Sequence, residues 1–510
     1  MQNDFPIGGS ITKSRGSLDH SLCEAGSSMC VLAITNKLCI VYRISEKGRR
    51  MDDEIRRRKN AFVSGFSGSS IFEIQLVMGV GPAVYLLWKS LRVSASRHWF
   101  SQYCIDFAVL GIPCILAQAY SEYNLALIAV AIGTAAFRLN GRNPPRSRQS
   151  ASSSHLTSLS QSQKPFLATY RAFAMLLTCI SILAVDFNVF PRRFVKCETF
   201  GTSLMDVGVG SMLVSGGVVA GSRLQGEMGG WKGLIKSAKI AIPVLVLGIA
   251  RTISVKSVNY QEHVSEYGVH WNFFFTLGFI PITVSLLRLC VPRRVKVDFM
   301  FFGLFVGIAY QVLLSLTGLQ KWILYAPRTG LLSMNKEGLS SLLGYVSIFL
   351  VSVQIGQNIL VAPKTKTGQL KKPTTVDFYA KLWRLVLLLA LFMAGYCICV
   401  YGLDLRVSRR LANLPYIFWV LSMNTAFISL FFLLELMPAL PTRIPSLLLA
   451  INSNQLFIFL AANILTGLVN LSVDTLKVRN GVAVGILAGY LFVVGLIAVT
   501  THHFGLRIKL

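Results

Sequence analysis

Residues 480–501 read NGVAVGILAGYLFVVGLIAVTT, 22 positions without a single Asp, Glu, Lys or Arg. As an α-helix this stretch spans about 33 Å, enough to cross the roughly 30 Å hydrocarbon core of a bilayer. A helix is required there because lipid offers no partner to backbone N–H and C=O groups. The same pattern recurs outward along the chain. Apolar blocks lie near 71–89, 104–120, 123–137, 168–187, 204–222, 238–254, 271–290, 298–318, 339–360, 378–402, 413–437 and 444–470, separated by short polar joints. Across all 510 residues 53% are hydrophobic and only 14% charged, against about 25% charged in soluble domains. The fold class is therefore an all-α integral membrane protein, a polytopic bundle of about 13 transmembrane helices. A soluble enzyme, a secreted disulfide scaffold and a disordered chain are excluded.

The rest of the chain is organised around these spans. Residues 1–60 form a polar, basic tail, read as disordered, and Met51-Asp52-Asp53-Glu54 offers an alternative start within it. Residues 61–510 make one multi-span membrane domain, interrupted at 139–165 by a Ser/Arg-rich, low-complexity linker also read as disordered. Fifty Lys and Arg against 22 Asp and Glu give a formal net charge of +28. These basic residues sit mainly between the apolar blocks, where they serve orientation and membrane-lipid head groups; nucleic acid is not the expected partner. The joints after the odd-numbered blocks, with the C-terminus, carry more Lys and Arg than the alternate joints. That bias places the C-terminus in the cytosol and the N-terminus on the far side; the run Arg56-Arg57-Arg58-Lys59 pulls the other way. The ten cysteines lie singly, mostly inside apolar blocks, with no CxxC or Cys/His spacing, so neither a disulfide framework nor a metal site is expected.

Three joints on the non-cytosolic side are not simple connectors. They are Asp186–Asp206 (DFNVFPRRFVKCETFGTSLMD), Asn259–Asn272 (NYQEHVSEYGVHWN) and Tyr325–Gly338 (YAPRTGLLSMNKEG). Each mixes carboxylates, basic groups and aromatics at the membrane boundary, where charge is costly unless it is paired or faces a wet cavity. Such clustering marks a candidate site.

The segments DFNVFPRRFVKCETFGTSLMDVGVG (186–210), HVSEYGVHWNFFFTLG (263–278) and LLSMNKEGLSSLLGY (331–345) closely resemble the GPI inositol acyltransferase family. AFVSGFSGSSIFEI (61–74) and NQLFIFLAANILTGLVNL (454–471) look like its opening and closing motifs, so the resemblance runs in order over about 61–501. It implies an endoplasmic-reticulum enzyme of thirteen spans with a lumenal N-terminus and a cytosolic C-terminus. Its substrates would be glucosaminyl-phosphatidylinositol, acylated on the inositol 2-hydroxyl, and an acyl-CoA, usually palmitoyl-CoA, as co-substrate. No metal or redox cofactor is implied.

Acyl transfer to a hydroxyl needs a base, donors for the thioester oxyanion and cations for phosphates. The resemblance marks Asp186 and Lys196, ten residues apart across the Pro191 turn, as the catalytic pair: Asp186 the base, Lys196 the oxyanion or phosphate partner. Read from the residues alone, the same two could be an ion pair that closes the loop. His263 and His270 are rival bases, since imidazole titrates near neutrality. Arg192 and Arg193, pointing opposite ways in an extended backbone, divide between a bidentate phosphate clamp and a head-group contact. Glu198 and Asp206 read as substrate contacts or as partners of those arginines. Glu266 belongs with the histidine motif, and Trp271 anchors the interface or stacks on a sugar. Asn335, Lys336 and Glu337 read as polar substrate contacts or as the start of a helix. The glycines of 204–222 suit close helix packing or an acyl-chain groove. Arg171, Lys381 and Arg384, near predicted span ends, are expected to snorkel outward, which argues against a transporter or scramblase. A lipid or solute transporter and a non-catalytic subunit of a glycolipid-synthesis complex are the alternatives.

Overall fold

The computed structural model describes residues 62, 65–92, 98–140, 164–221, 231–257, 264–291, 298–360 and 374–508. The basic tail and most of the Ser/Arg-rich linker lie outside these residues, as does His263. The spans are α1 (Ile71–Leu91), α2 (Trp99–Ala119), α3 (Asn124–Asn140), α4 (Pro165–Ala184), α5 (Leu204–Gly221), α6 (Trp231–Ser257) and α7 (Phe273–Leu289). They continue as α8 (Phe299–Leu316), α9 (Lys336–Leu360), α10 (Thr375–Cys397), α11 (Leu414–Leu436), α12 (Gln455–Ser472) and α13 (Asn480–His503). Among the described residues twelve helices are long and apolar enough to cross a membrane, and the apolar α7, 17 residues long, is one residue shorter than the shortest of them. The protein is a multi-pass, all-α membrane protein.

The helix starts follow local chemistry. Ser70 accepts from the Glu73 N–H at α1, Asn272 from Phe274 and Phe275 at α7, and Asp298 from Met300 and Phe301 at α8. Each side chain satisfies backbone donors that have no intrahelical partner. The expected 444–470 span is two helices, Ser446–Ser453 and α12, broken at Asn454. The Asn454 amide turns to the C-terminal segment instead, donating to the Leu506 carbonyl at 2.9 Å and accepting from the Ile508 N–H at 3.1 Å. Asn side chains compete with backbone in this way.

The core is centred on α11, which is buried over most of its length and packs on α4, α5, α9 and α10. Glycine sets how closely α5 approaches α9. A Cβ on Gly217 would lie 2.7 Å from the Phe349 carbonyl oxygen, and Gly221 and Gly356 face backbone just as closely. Gly208 and Gly216 look into open space or nearly so. Close packing and an open stripe therefore coexist on one helix. Gly217→Ala is expected to lower the thermal midpoint, since overpacking costs about 1–3 kcal/mol. Gly216→Ala, one residue away, should leave it unchanged or raise it; matched thermal unfolding in detergent reads the difference.

Charge inside the bundle departs from expectation. Arg171 does not snorkel: its guanidinium bonds Ser215 Oγ at 3.0 Å and Gln455 Oε1 at 2.7 Å, tying α4 to α5 and α12. Lys381 folds onto the last turn of α9, donating to the Ile359 carbonyl at 2.8 Å, where the helix dipole favours a cation. Lys89 and Glu435, at the ends of α1 and α11, form a fully buried ion pair at 2.8 Å. Tyr85 donates to the same carboxylate at 2.5 Å.

Candidate functional site

The three polar joints meet at one end of the bundle, together with a fourth, residues 403–413, which connects α10 to α11. Inside the 186–206 loop, Phe187, Phe190 and Phe194 are buried and pull the chain into a tight turn. Arg192 holds that turn from within, donating to the carbonyls of Val185 (2.9 Å), Phe187 (2.8 Å) and Phe190 (2.8 Å). Burial pulls its guanidinium down to about 10, with the neighbouring Asp186 carboxylate opposing that shift. The backbone at Arg192–Phe194 is a 3-10 turn rather than an extended strand. The two arginines still part company: Arg193 bonds Glu73 at 2.7 Å and Ser121 at 2.9 Å.

Asp186 lies just beyond the end of α4 and accepts from Asn470 Nδ2 at 2.8 Å, near the end of α12. Lys196 takes a different acid. Its ammonium reaches both oxygens of Glu266, at 2.7 and 2.9 Å, so its ion-pair partner is Glu266 in place of Asp186. Glu266 sits on a one-turn helix, Val264–Tyr267, and also accepts from Arg409 Nη1 at 3.1 Å. Arg409 Nε bonds Asp206 Oδ1 at 2.7 Å, and the other Asp206 oxygen accepts from Ser203 Oγ (2.8 Å) and the Cys197 N–H (3.1 Å). Burial would raise the Glu266 carboxyl, but the charges of Lys196 and Arg409 prevail and hold it down to about 2, with Arg251 adding to them. Burial, and then the Asp206 charge, push the Cys197 thiol up, which disfavours the reactive thiolate.

The other two joints interlock. The Val269 N–H donates to the Met334 carbonyl and the His270 N–H to Asn335 Oδ1, both at 2.9 Å. Trp271 lies over Gly338 in the first turn of α9, stacks on Phe279 and donates to Thr276 at 2.9 Å. Lys336 is buried and bonds the carbonyls of Trp322 (3.1 Å) and Ala326, at the C-terminal end of the Leu319–Tyr325 helix. Glu337 is fully buried between Arg328 (2.9 Å) and Arg410 (2.7 Å). Glu198 accepts from the Gly65 N–H, six residues before α1, at 3.1 Å.

The structure thus brings together Lys196, Asp206 and Glu266, and separately Asn335, His270 and Trp271. Arg409 and Arg410 are the residues that sequence reading missed. The Arg-Arg pair in DLRVSRRLAN (404–413) resembles Arg192-Arg193 and was a legible signal. It lies in a joint without His or acids beyond Asp404, so it read as an ordinary basic connector. The assembled end offers a half-exposed ammonium on a buried base of alternating charges, with a carboxylate, Asp186, at the junction of α4 and α12. Such a set can hold a phosphate or an oxyanion and accept a proton.

The GWT1 family model matches residues 55–501. The chain is 40% identical over 475 residues to GPI-anchored wall transfer protein 1 of Yarrowia lipolytica, covering 89% of this chain and 98% of that protein. Its counterpart in Aspergillus fumigatus is 39% identical over 510 residues, covering 90% and 99%. That of Schizosaccharomyces pombe is 35% identical over 469 residues, covering 89% and 99%.

Proposed function

The chain belongs to the GWT1 family, and from that premise we propose that it acts in GPI-anchor biosynthesis as an acyl-CoA-dependent inositol acyltransferase of the endoplasmic reticulum membrane. It transfers a fatty acyl group, palmitoyl in the first instance, to the inositol 2-hydroxyl of glucosaminyl-phosphatidylinositol. The N-terminus is lumenal and the C-terminus cytosolic in this reading. The observation that carries it is the family match over residues 55–501, a range that includes the loop holding Asp186 and Lys196. Asp186 takes the hydroxyl proton, the hydroxyl oxygen attacks the thioester carbonyl, and Lys196 stabilises the oxyanion. The CoA thiolate leaves and recovers the proton, so the reaction balances without a metal or redox cofactor. The open Gly208 and Gly216 side of α5 suits an acyl chain.

The test supplies purified protein with palmitoyl-CoA and glucosaminyl-phosphatidylinositol in mixed micelles. Acyl-inositol product and free CoA in equal amounts are expected. No product from well-folded protein with both substrates in excess overturns the reading, and a non-catalytic subunit or a transporter then takes its place.

A further inference from the structure

We propose that Arg409 is a positioning residue for the acyl transfer, fixing Glu266 and, through it, the ammonium of Lys196. The inference rests on the reading that Lys196 serves that reaction.

Lys196 is 38% exposed, yet the groups behind it are progressively more enclosed: Glu266 is 15% and Arg409 4% exposed. Glu266 Oε1 is shared, receiving Lys196 Nζ at 2.7 Å and Arg409 Nη1 at 3.1 Å. A carboxylate bonded on one side to a mobile lysine alone would move with it. Here a rigid guanidinium pins the carboxylate, and the lysine head inherits its position. Arg409 is itself fixed from several directions. Its Nε bonds Asp206 at the start of α5, its carbonyl accepts from Tyr345 of α9 at 3.4 Å, and its guanidinium stands over the Tyr267 ring. The next residue back, Ser408, is tied to the Thr199 carbonyl at 2.5 Å and to Asn413 at 3.0 Å. Asp206 is anchored in turn, its own carbonyl accepting from Tyr416 of α11 at 2.9 Å. The 403–413 joint therefore delivers a cation to the exact point where the 186–206 loop and the Val264–Tyr267 helix need to be held together.

Arginine suits this task and lysine does not. The planar fork addresses two carboxylates at once in set directions, whereas an ammonium on a flexible stem is a point charge. Position matters because an ångström of misplacement at a reacting centre can cost on the order of a hundredfold in rate.

The experiment measures kcat, KM for each substrate, and the pH dependence of kcat for wild type, Arg409→Lys and Arg409→Gln, each accepted only with a monodisperse profile. Arg409→Lys is expected to lose about tenfold and Arg409→Gln about a hundredfold in kcat, with both KM values within about threefold of wild type. The groups facing Glu266 are Lys196, Arg409 and Arg251, with Asp206, Tyr267 and Tyr345 nearby. Removing the Arg409 charge raises the Glu266 carboxyl, so its protonation joins that of Asp186 on the acid side and the acid limb of the Arg409→Gln profile moves to higher pH, while Arg409→Lys keeps it near wild type. A role confined to folding scales the whole profile and leaves the limb in place, and that result overturns the proposal. So does a kcat for Arg409→Lys equal to wild type. If the Arg409 variants fail to fold, Glu266→Gln decides: lowered kcat with both KM values near wild type supports the proposal, and a wild-type kcat sinks it. Inactive wild type defeats the acyltransferase reading itself, a separate outcome.

Discussion

Asp186→Asn and Lys196→Ala should each lower acyl-inositol formation at least about a hundredfold per folded molecule, the span associated with a positioned acid–base or oxyanion group. Both changes are gentle on the fold. Asn at 186 keeps an oxygen that can accept from Asn470 Nδ2. Removing Lys196 leaves Glu266 still bonded to Arg409, so no buried charge is stranded. If the two groups act in one step, the double variant will be little worse than the more damaged single one, because groups that act as a unit are not additive. The readout is product and free CoA normalised to the monodisperse peak. Wild-type turnover in both variants would remove the 186–206 loop from the chemistry and turn attention to His263 and His270. A loss of abundance with unchanged turnover would instead identify the two as structural.

Glu435→Ala carries the largest expected cost in stability. It strands the Lys89 ammonium, which is 1% exposed, and takes the acceptor from the Tyr85 hydroxyl. Breaking one side of a buried ion pair costs about 3–5 kcal/mol, because the remaining charge has been desolvated without compensation. The Pro441 carbonyl, which accepts from Lys89 at 2.9 Å, offsets only part of this. Replacing both members by apolar groups of similar size, as in Lys89→Met with Glu435→Leu, is expected to recover most of the loss. Thermal unfolding of the single and double variants in detergent gives the comparison. A Glu435→Ala midpoint within a degree or two of wild type would mean that water reaches the pair and that its burial is not the source of its strength.

The two arginine-centred clusters show where sequence reading stops. Lys196 and Asp186 stand ten residues apart across a proline turn, which suggests a local pair, yet Lys196 bonds Glu266, seventy residues away. Arg192, a candidate phosphate clamp, spends its donors on three carbonyls of its own loop. Lys336, in a motif that reads as substrate-facing, closes the end of the Leu319–Tyr325 helix. In each case a cation near the membrane boundary finds the nearest oxygen that packing supplies, and a linear reading contains no information about which oxygen that is.

The sequence by itself determined the class of the protein, the position of nearly every span and the three joints where polar chemistry gathers. It could do so because hydrocarbon tests each segment separately: about twenty apolar residues cross whatever their neighbours are. The tertiary structure alone decided the break at Asn454, the enlistment of the 403–413 joint, the Lys89–Glu435 pair and the partner of Lys196. Those outcomes depend on which helix ends lie side by side, and on the cost of leaving a desolvated charge without an opposite one.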